Sequence, residues 1–260
     1  MSATPTVLVH HDAGLLARAV AARLVTRLVD VQAARGVASL VLTGGGIGGA
    51  TLRELAAAPA RDAVDWRHLD LWWGDERFLP AGDPERNDTQ AQQMLLDVVD
   101  LDPRRVHRFG GPDGPDGPDP EAAAARYAAA LAAAARPEDH GPVPSFDVLL
   151  LGIGGEGHVG SIFPESPAVY DERPVVAVRG CPKPPPTRLT LTLASMNAAR
   201  EAWVVAAGEE KAKAVRMALS GAGAVQVPAA GVAGRLRTLW LLDAAAASQL
   251  PKDLSRLASP

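Results

Sequence analysis

Runs of consecutive apolar residues alternate along this chain with stretches in which apolar residues recur at helical spacing. The apolar runs predict strands at 6–11, 37–44, 68–76, 145–154, 173–178, 187–193, 201–208 and, last, 236–243. The helical spacing predicts helices at 12–35, 50–58, 87–99, 121–135 and 209–220. Apolar runs without polar alternation are typical of strands buried on both faces, as in parallel sheets. The pattern therefore predicts an α/β fold with a mainly parallel sheet flanked by helices on both faces.

Residues that favour helix ends and turns support the predicted boundaries of the helices and loops. Asp12 is placed to cap the helix at 12–35, and Glu209 and Glu210 suit the first turn of the last helix. The segment 110–120 repeats a Gly-Pro-Asp unit, and its proline and glycine density predicts a surface linker. We expect residues 1–260 to form a single domain that contains this linker.

Composition narrows the classes of protein. Hydrophobic residues make up 47% and charged residues 22% of the 260 residues, as in ordinary globular proteins. The net charge of −4 and the absence of a basic run argue against nucleic-acid binding. Cys181 is the single cysteine, so no intrachain disulfide can form. The N-terminus does not resemble a signal peptide, and no apolar run is long enough to cross a membrane. We expect a cytoplasmic protein without membrane partners.

Two glycine-rich loops each follow an apolar run and match G-x-G-x-x-G. The first is "LVLTGGGIGGATL" at 40–52, and the second is "LLLGIGGEGHVGSIFP" at 149–164. This spacing is that of a dinucleotide-binding loop. However, the first loop lies on the second predicted strand, its following helix is predicted to be short, and "HVGSIFP" cannot begin a long helix. We predict that neither loop binds NAD.

A phosphate monoester is a better ligand for the first loop. Backbone N–H groups at a strand-to-helix turn attract anions, and the hydroxyl of Thr43 can add a hydrogen bond to those of Gly44, Gly45 and Gly46. The remaining alternative is a tight turn without a ligand. Ligands of parallel α/β sheets bind at the carboxyl ends of the strands. Both loops and the "GDER" segment at 74–77 follow such ends, so we expect them to meet at one edge of the sheet.

Four segments in order carry a resemblance to a known family. They are "TGGGIGG", "WWGDERFLPAGDPERND", "FDVLLLGIGGEGHVGSIFP" and "KPPPTRLTLTLASMNAAREAWVVAAGEEKAKAV". Together they resemble the 6-phosphogluconolactonases, within the larger glucosamine-6-phosphate isomerase group, over essentially the whole chain. The resemblance implies a NagB-like three-layer α/β sandwich, hydrolysis of a phosphorylated sugar lactone in the pentose phosphate pathway, and no cofactor.

The chain departs from the family pattern at two places. The family's first loop usually contains serine and ends in Thr-Pro, whereas this loop has no proline. The family usually has aspartate two residues before its catalytic-type histidine, and this chain has Glu156. The "GDER" arginine and the "SIFP" ending favour the lactonase branch over the isomerase branch.

Lactone hydrolysis requires a general base, a place for negative charge and a hold on the phosphate. A lactone is an activated ester, so no metal or covalent nucleophile is needed. His158 is the candidate base because its ordinary pKa lies near neutral pH. Glu156 or Asp75 could orient the imidazole. The backbone N–H groups of Gly154, Gly155 or Gly157 could receive the oxyanion.

Three cations are candidates for the phosphate, namely Arg77, Arg188 and Lys211. Ser161 has no G-x-S-x-G context, which argues against a serine hydrolase. Trp72 and Trp73 are expected to pack in the core. The remaining histidines show no metal-ligand spacing and are interpreted as structural or solvated: His10, His11, His68, His107 and His140.

Other functions stay open at this point. The nearest is an aldose–ketose isomerase or deaminase acting on an amino-sugar 6-phosphate. Another is a sugar-phosphate-sensing regulator without catalysis, although no residues are left to build a helix-turn-helix. A dinucleotide-dependent oxidoreductase is the most distant. We expect a monomer or a small homo-oligomer.

Overall fold

A computed structural model describes residues 4–139, 141–251, 254 and 256–258, so His140 lies outside the described residues. The strands are β1 (Thr6–His10), β2 (Ala38–Leu42), β3 (Leu69–Trp73), β4 (Asp75–Arg77), β5 (Val148–Gly152), β6 (Val175–Val178), β7 (Arg188–Leu191), β8 (Glu201–Ala206), β9 (Arg237–Asp243) and β10 (Arg256–Leu257). The α-helices are α1 (Ala13–Arg35), α2 (Gly45–Ala57), α3 (Asn87–Met94), α4 (Pro120–Ala134), α5 (Leu193–Met196) and α6 (Ala212–Leu219).

Within the described ranges, seven strands form one parallel sheet in the order β10-β1-β9-β8-β5-β2-β3. All six residues of β8 are buried, as are four of the five in β5, because both faces of the sheet are covered. Helices α1 and α2 pack against each other and against strands of this sheet. The predicted parallel α/β fold is confirmed. The two-residue strand β10, beside β1, was not predicted.

A second sheet, antiparallel and of three described strands, has the order β4-β7-β6. The predicted strand at 68–76 is wrong as one element, because the chain changes sheets at Gly74. The N–H of Gly74 donates to the carbonyl of Leu42 in the large sheet (3.0 Å). Its carbonyl accepts from the N–H of Leu191 in the small sheet (2.9 Å). The runs at 173–178 and 187–193 also belong to this second sheet.

Helix α1 begins and ends as its sequence predicts. The Asp12 carboxylate accepts from the N–H of Leu15 (2.8 Å), and Gly36 ends the helix in the left-handed region at φ 79°. Helix α2, in contrast, was predicted from residue 50 but begins at Gly45. Glycine disfavours helices, yet the first five residues of α2 are helical although four of them are glycines. A side chain on Gly48 would meet the Thr43 carbonyl at 2.8 Å.

Two further helices are shorter than predicted. The helix at 87–99 ends at Met94, and a 3₁₀ turn follows at Leu96–Val98. The helix at 209–220 opens with a 3₁₀ turn, Glu209–Lys211, and becomes α-helical at Ala212. The Gly-Pro-Asp segment contains turns, as predicted, but it is anchored. The Asp113 carboxylate accepts from the N–H of Ala81 (3.0 Å).

Tryptophans fill much of the core, including Trp72 and Trp73, which are both 1% exposed, as expected. Strand β3 ends the large sheet, and its outer edge is covered because the N–H of His107 donates to the Leu71 carbonyl (2.8 Å). The His107 ring stacks on Trp72 with centroids 3.7 Å apart, which confirms its structural role.

Among the described residues, no helix combines the length and apolar character needed to cross a bilayer.

Candidate active site

The carboxyl ends of β2 and β5 meet the small sheet around a cavity of about 420 Å³, a usual size for a small-molecule site. Of the residues predicted from sequence, the cavity is lined by Thr43, Gly44, Gly45, Gly46, Asp75, Arg77, Gly154, His158, Arg188 and Lys211. Gly155 and Glu156 are not among the lining residues. The predicted convergence of both glycine loops and "GDER" on one edge is therefore confirmed.

His158 presents its imidazole to this cavity while remaining 17% exposed. Its Nδ1 lies 3.0 Å from Glu156 Oε1, and its ring packs 4.5 Å from that of Phe163. A proton on Nδ1, donated to the carboxylate, leaves the lone pair of Nε2 free to accept another. Burial lowers the pKa of His158 below its ordinary 6.5, Glu156 raises it, and Lys183 lowers it again. The net direction is downward, so the ring is a neutral base at pH 7.

Each oxygen of the Glu156 carboxylate has a polar partner. Its Oε1 faces His158, and its Oε2 lies 3.0 Å from the Nζ of Lys183. Burial alone would raise the pKa of Glu156, but a backbone N–H, the Lys183 ammonium and His158 outweigh burial and lower it to about 2. The carboxylate is therefore charged at neutral pH and can stabilise an imidazolium.

Asp75, the other acid considered for orienting His158, is buried and bonded elsewhere. Its Oδ2 accepts from the hydroxyl of Ser161 (2.7 Å), and its Oδ1 from the amide of Asn87 (3.4 Å). Both partners were missed as site residues from sequence. Ser161 was considered only as a nucleophile, and Asn87 had been assigned to a helix entered from a loop. Only the fold brings Ser161 beside a residue 86 positions earlier.

Asn87 lines the cavity and is fixed by a buried carboxylate. The Glu76 carboxylate accepts from the backbone N–H groups of Asn87 (2.7 Å) and Asp88 (2.8 Å) at the start of α3. Burial and Asp88 raise the pKa of Glu76 to about 8, against the opposing effects of Arg86 and these N–H donors. Among the described residues the Asn87 Oδ1 has no partner. It lies so close to Gly44 that any side chain there would overlap it.

Arg77 and Arg188 are directly opposite each other in the β4–β7 pair, which places their side chains on one face of the small sheet. Arg77 donates to the carbonyl of Glu85. Arg188 donates from Nε and Nη2 to three carbonyls of the preceding loop, namely Lys183 (3.1 Å), Pro184 (3.0 Å) and Pro185 (3.2 Å). Among the described residues, these bonds leave the Nη1 donors of Arg188 for a ligand.

Lys211 lines the cavity from the turn before α6, with its Nζ 3.8 Å from Glu210. The N-terminal turn of α2 contributes unpaired N–H groups, since Gly44 provides no side-chain cap. Thr43 has a structural contact that the sequence did not indicate: its Oγ1 accepts from the N–H of Gly152 (3.1 Å) and so ties the two glycine loops together.

The second loop offers fewer donors than the sequence suggests. The N–H of Gly154 donates to the His158 carbonyl (3.0 Å), and that of Gly157 to the Gly154 carbonyl (2.9 Å). Both N–H groups therefore donate within the loop rather than to a ligand. As predicted, no α-helix follows this loop in the described residues 153–166. The described residues include no group of three or more His, Cys, Asp or Glu arranged to hold a metal ion.

Residues 11–240 match the family of glucosamine-6-phosphate isomerases/6-phosphogluconolactonase, and the chain belongs to this family. A relative from Streptomyces coelicolor named 6-phosphogluconolactonase is 64% identical over 98% of each chain. The solved 6-phosphogluconolactonase from Trypanosoma brucei is 29% identical, with a TM-score of 0.77 over 95% of this chain and 99% of that one.

The fold is shared more widely. A solved monomeric glucosamine-6-phosphate deaminase of the NagB superfamily is 23% identical and aligns with a TM-score of 0.75 over 93% of this chain and 99% of that one. The predicted NagB-like fold is confirmed by these similarities. At this level of identity the deaminase shows a common fold only.

Proposed function

We propose that this chain hydrolyses 6-phospho-D-glucono-1,5-lactone to 6-phospho-D-gluconate, the second step of the oxidative pentose phosphate pathway. The observation that carries the proposal is the partly buried His158–Glu156 pair, whose imidazole faces a cavity also lined by Arg77, Arg188 and Lys211. The name of the relative that is 64% identical supports it. The cytoplasmic location, the single domain and the monomer or small homo-oligomer predicted from sequence go with this proposal.

In the proposed reaction, Nε2 of His158 takes a proton from water as the water oxygen attacks C1 of the lactone. Negative charge develops on the carbonyl oxygen, and Glu156 stabilises the imidazolium. As the C1–O5 bond breaks, the imidazolium returns the proton to the ring oxygen, which leaves as a hydroxyl. General-base catalysis of this kind contributes about 10²–10⁴-fold. No cofactor is part of this mechanism.

The phosphate is held, in this proposal, at the end of the cavity formed by the first glycine loop and the cations. A phosphate dianion would accept from the Nη1 donors of Arg188, from Arg77 and Lys211, and from the free N–H groups at Gly45 and Gly46. The N–H groups of Gly154 and Gly157 are bonded within the loop, and Gly155 does not line the cavity, so none of the three predicted amides is assigned to the oxyanion.

The test is product analysis with two substrates offered separately. Freshly generated 6-phosphogluconolactone should give 6-phosphogluconate faster than in buffer, and the uncatalysed rate must be subtracted at each pH. Glucosamine 6-phosphate should give neither fructose 6-phosphate nor ammonia. Turnover of the amino sugar, with lactone hydrolysis at the buffer rate, would replace the proposal by an isomerase or deaminase.

One observation bears on that alternative. An isomerase needs a carboxylate base at the sugar, and Asp75 on β4 and Glu210 in the turn before α6 both line the cavity. The Asp75 oxygens each accept one hydrogen bond, from Ser161 and Asn87, which leaves one lone pair on each for a substrate proton. Binding of both compounds without turnover of either would favour the sugar-phosphate sensor.

A further inference from the structure

A lysine outside the cavity lining contacts the acid behind His158. Lys183 lies in the loop between β6 and β7, and its Nζ is 3.0 Å from Glu156 Oε2. The other oxygen of the same carboxylate faces His158 Nδ1 at 3.0 Å. Glu156 thus bridges an imidazole and an ammonium, with one oxygen for each.

The backbone that carries Lys183 is itself fixed. The guanidinium of Arg188 donates to the carbonyls of Lys183 and Pro184, and the N–H of Cys181 donates to the Pro186 carbonyl (3.0 Å). The Lys183 side chain is 48% exposed, but the backbone that carries it is fixed by these hydrogen bonds. This reduces the entropy lost when its ammonium is kept at Glu156.

Glutamate at position 156 suits this bridge. Its side chain is one methylene longer than aspartate, which extends its reach toward Lys183. Other charged groups near His158 come from different elements. Asp75 acts from β4, and Arg188 lies across the Phe163 ring, 5.7 Å from the ring centroid. Glu156 and Lys183 are the pair that reaches the Nδ1 side of the ring.

We propose that Lys183 is a positioning residue, which holds Glu156 against the imidazole and limits how strongly that carboxylate retains a proton on His158. The proposal rests on the proposed function, in which His158 is the general base. An unopposed Glu156 would favour the imidazolium, and an imidazolium cannot accept a proton from water. Lys183 offsets part of that charge, so the ring stays neutral to lower pH.

The direct test follows the His158 imidazole by NMR. With ¹³C-labelled histidine, the resonance missing from His158→Ala identifies this ring among the six histidines. In Lys183→Met the ring should titrate at higher pH than in the unaltered protein, and in Lys183→Arg at nearly the same pH. Lys213→Met is the matched control, since it removes an equal charge from an exposed position on α6 outside the cavity lining. Unchanged titration in Lys183→Met would overturn the proposal.

The kinetic test is the pH profile of lactone hydrolysis. On the acid limb, kcat/KM of Lys183→Met should fall by about threefold to tenfold, a range reduced because the pair is partly exposed. The high-pH plateau should change little. A uniform loss at every pH would indicate a merely structural role. In a Glu156→Gln background the same substitution should have a smaller effect, because only the direct action of the Lys183 charge on His158 remains, and a full effect there would contradict action through Glu156.

The two proposals fail separately. The NMR titration reports the imidazole directly, so it decides the role of Lys183 even in a protein that leaves the lactone unhydrolysed. In one case, the His158 ring titrates at higher pH in Lys183→Met while His158→Ala retains its kcat. The Lys183–Glu156–His158 arrangement then stands, and His158 is not the base. If His158→Ala is inactive and the titration is not displaced, the proposed function stands without Lys183.

Discussion

Replacing Glu156 by Gln tests how much the acid behind His158 contributes to catalysis. The substitution keeps the shape of the side chain and removes its charge. A hydrogen bond to a charged group contributes about 1.5–3 kcal/mol, and this bond acquires its full charge only when the imidazolium forms. Because each 1.36 kcal/mol is tenfold in rate, kcat should fall by about tenfold to a hundredfold. KM should change little, because Glu156 does not line the cavity.

The pH dependence of the rate tests the direction of the Glu156 effect on His158. Glu156 raises the pKa of His158, so its removal should move the acid limb to lower pH, opposite to the displacement expected for Lys183→Met. The lowering of the Glu156 pKa from 4.5 to about 2 also links the carboxylate to stability. That contribution is at most about 3 kcal/mol and less after solvent screening. It is present above pH 4.5 and is lost as the pH falls toward 2.

The assay is initial-rate hydrolysis at saturating lactone between pH 5 and 8, with the spontaneous rate subtracted. Thermal unfolding at pH 7 and at pH 4 accompanies it. The unaltered protein should lose more stability than Glu156→Gln over that interval. An unchanged kcat, or an acid limb displaced to higher pH, would refute the reasoning, since either would mean that Glu156 does not stabilise the imidazolium.

Five further substitutions separate chemistry, phosphate binding and packing. His158→Ala should lower kcat by about 10²–10⁴-fold with little change in KM, and retention of most of the corrected kcat would place the base elsewhere. Arg77→Ala and Arg188→Ala should both raise KM, but Arg188→Ala should lower the Tm more, because the Arg188 guanidinium donates to three loop carbonyls and that of Arg77 to one. Gly44→Ala should destabilise the fold by about 1–3 kcal/mol through overlap with Asn87, whereas Gly46→Ala, with open space around its Cβ, should leave the Tm unlowered.

The large sheet could be predicted from sequence because its signal is local. Strands such as β5 and β8 are buried on both faces, which requires continuous apolar runs that can be recognised without tertiary information. The meeting of the glycine loops and "GDER" followed in turn, since the carboxyl ends of parallel strands share one edge.

The remaining features depend on contacts between distant segments. Gly74 divides an apolar run between two sheets through hydrogen bonds to Leu42 and Leu191, and nothing in the run itself marks the change. The early start of α2 runs against helix propensity, and the close approach of Gly48 to the Thr43 carbonyl shows only that a larger residue would not fit there. The early start also removes the short helix as an argument against NAD binding, so that prediction now rests on the position of the first loop and on "HVGSIFP".

Which of the two candidate acids contacts His158 also depends on the tertiary structure. From sequence, Glu156 is the first candidate for orienting His158 and Asp75 the alternative. The fold places Glu156 on the imidazole and Asp75 on Ser161 and Asn87. Glu156 is two residues from His158, but whether such a neighbour turns toward the ring depends on the loop conformation, which the sequence pattern does not specify.

The hydrogen bonds around the cavity also bear on when during folding the site can form. Thr43 and Gly152 are separated by 109 residues, and Asp75 and Ser161 by 86. Closing loops of this length costs chain entropy before any contact compensates for it, and contacts of long sequence separation slow folding. The helices can form from local contacts, but the cavity requires both sheets to be assembled. During synthesis on the ribosome, a nascent chain that ends before β5 contains the first glycine loop but neither Gly152 nor His158, and it therefore lacks part of the cavity lining.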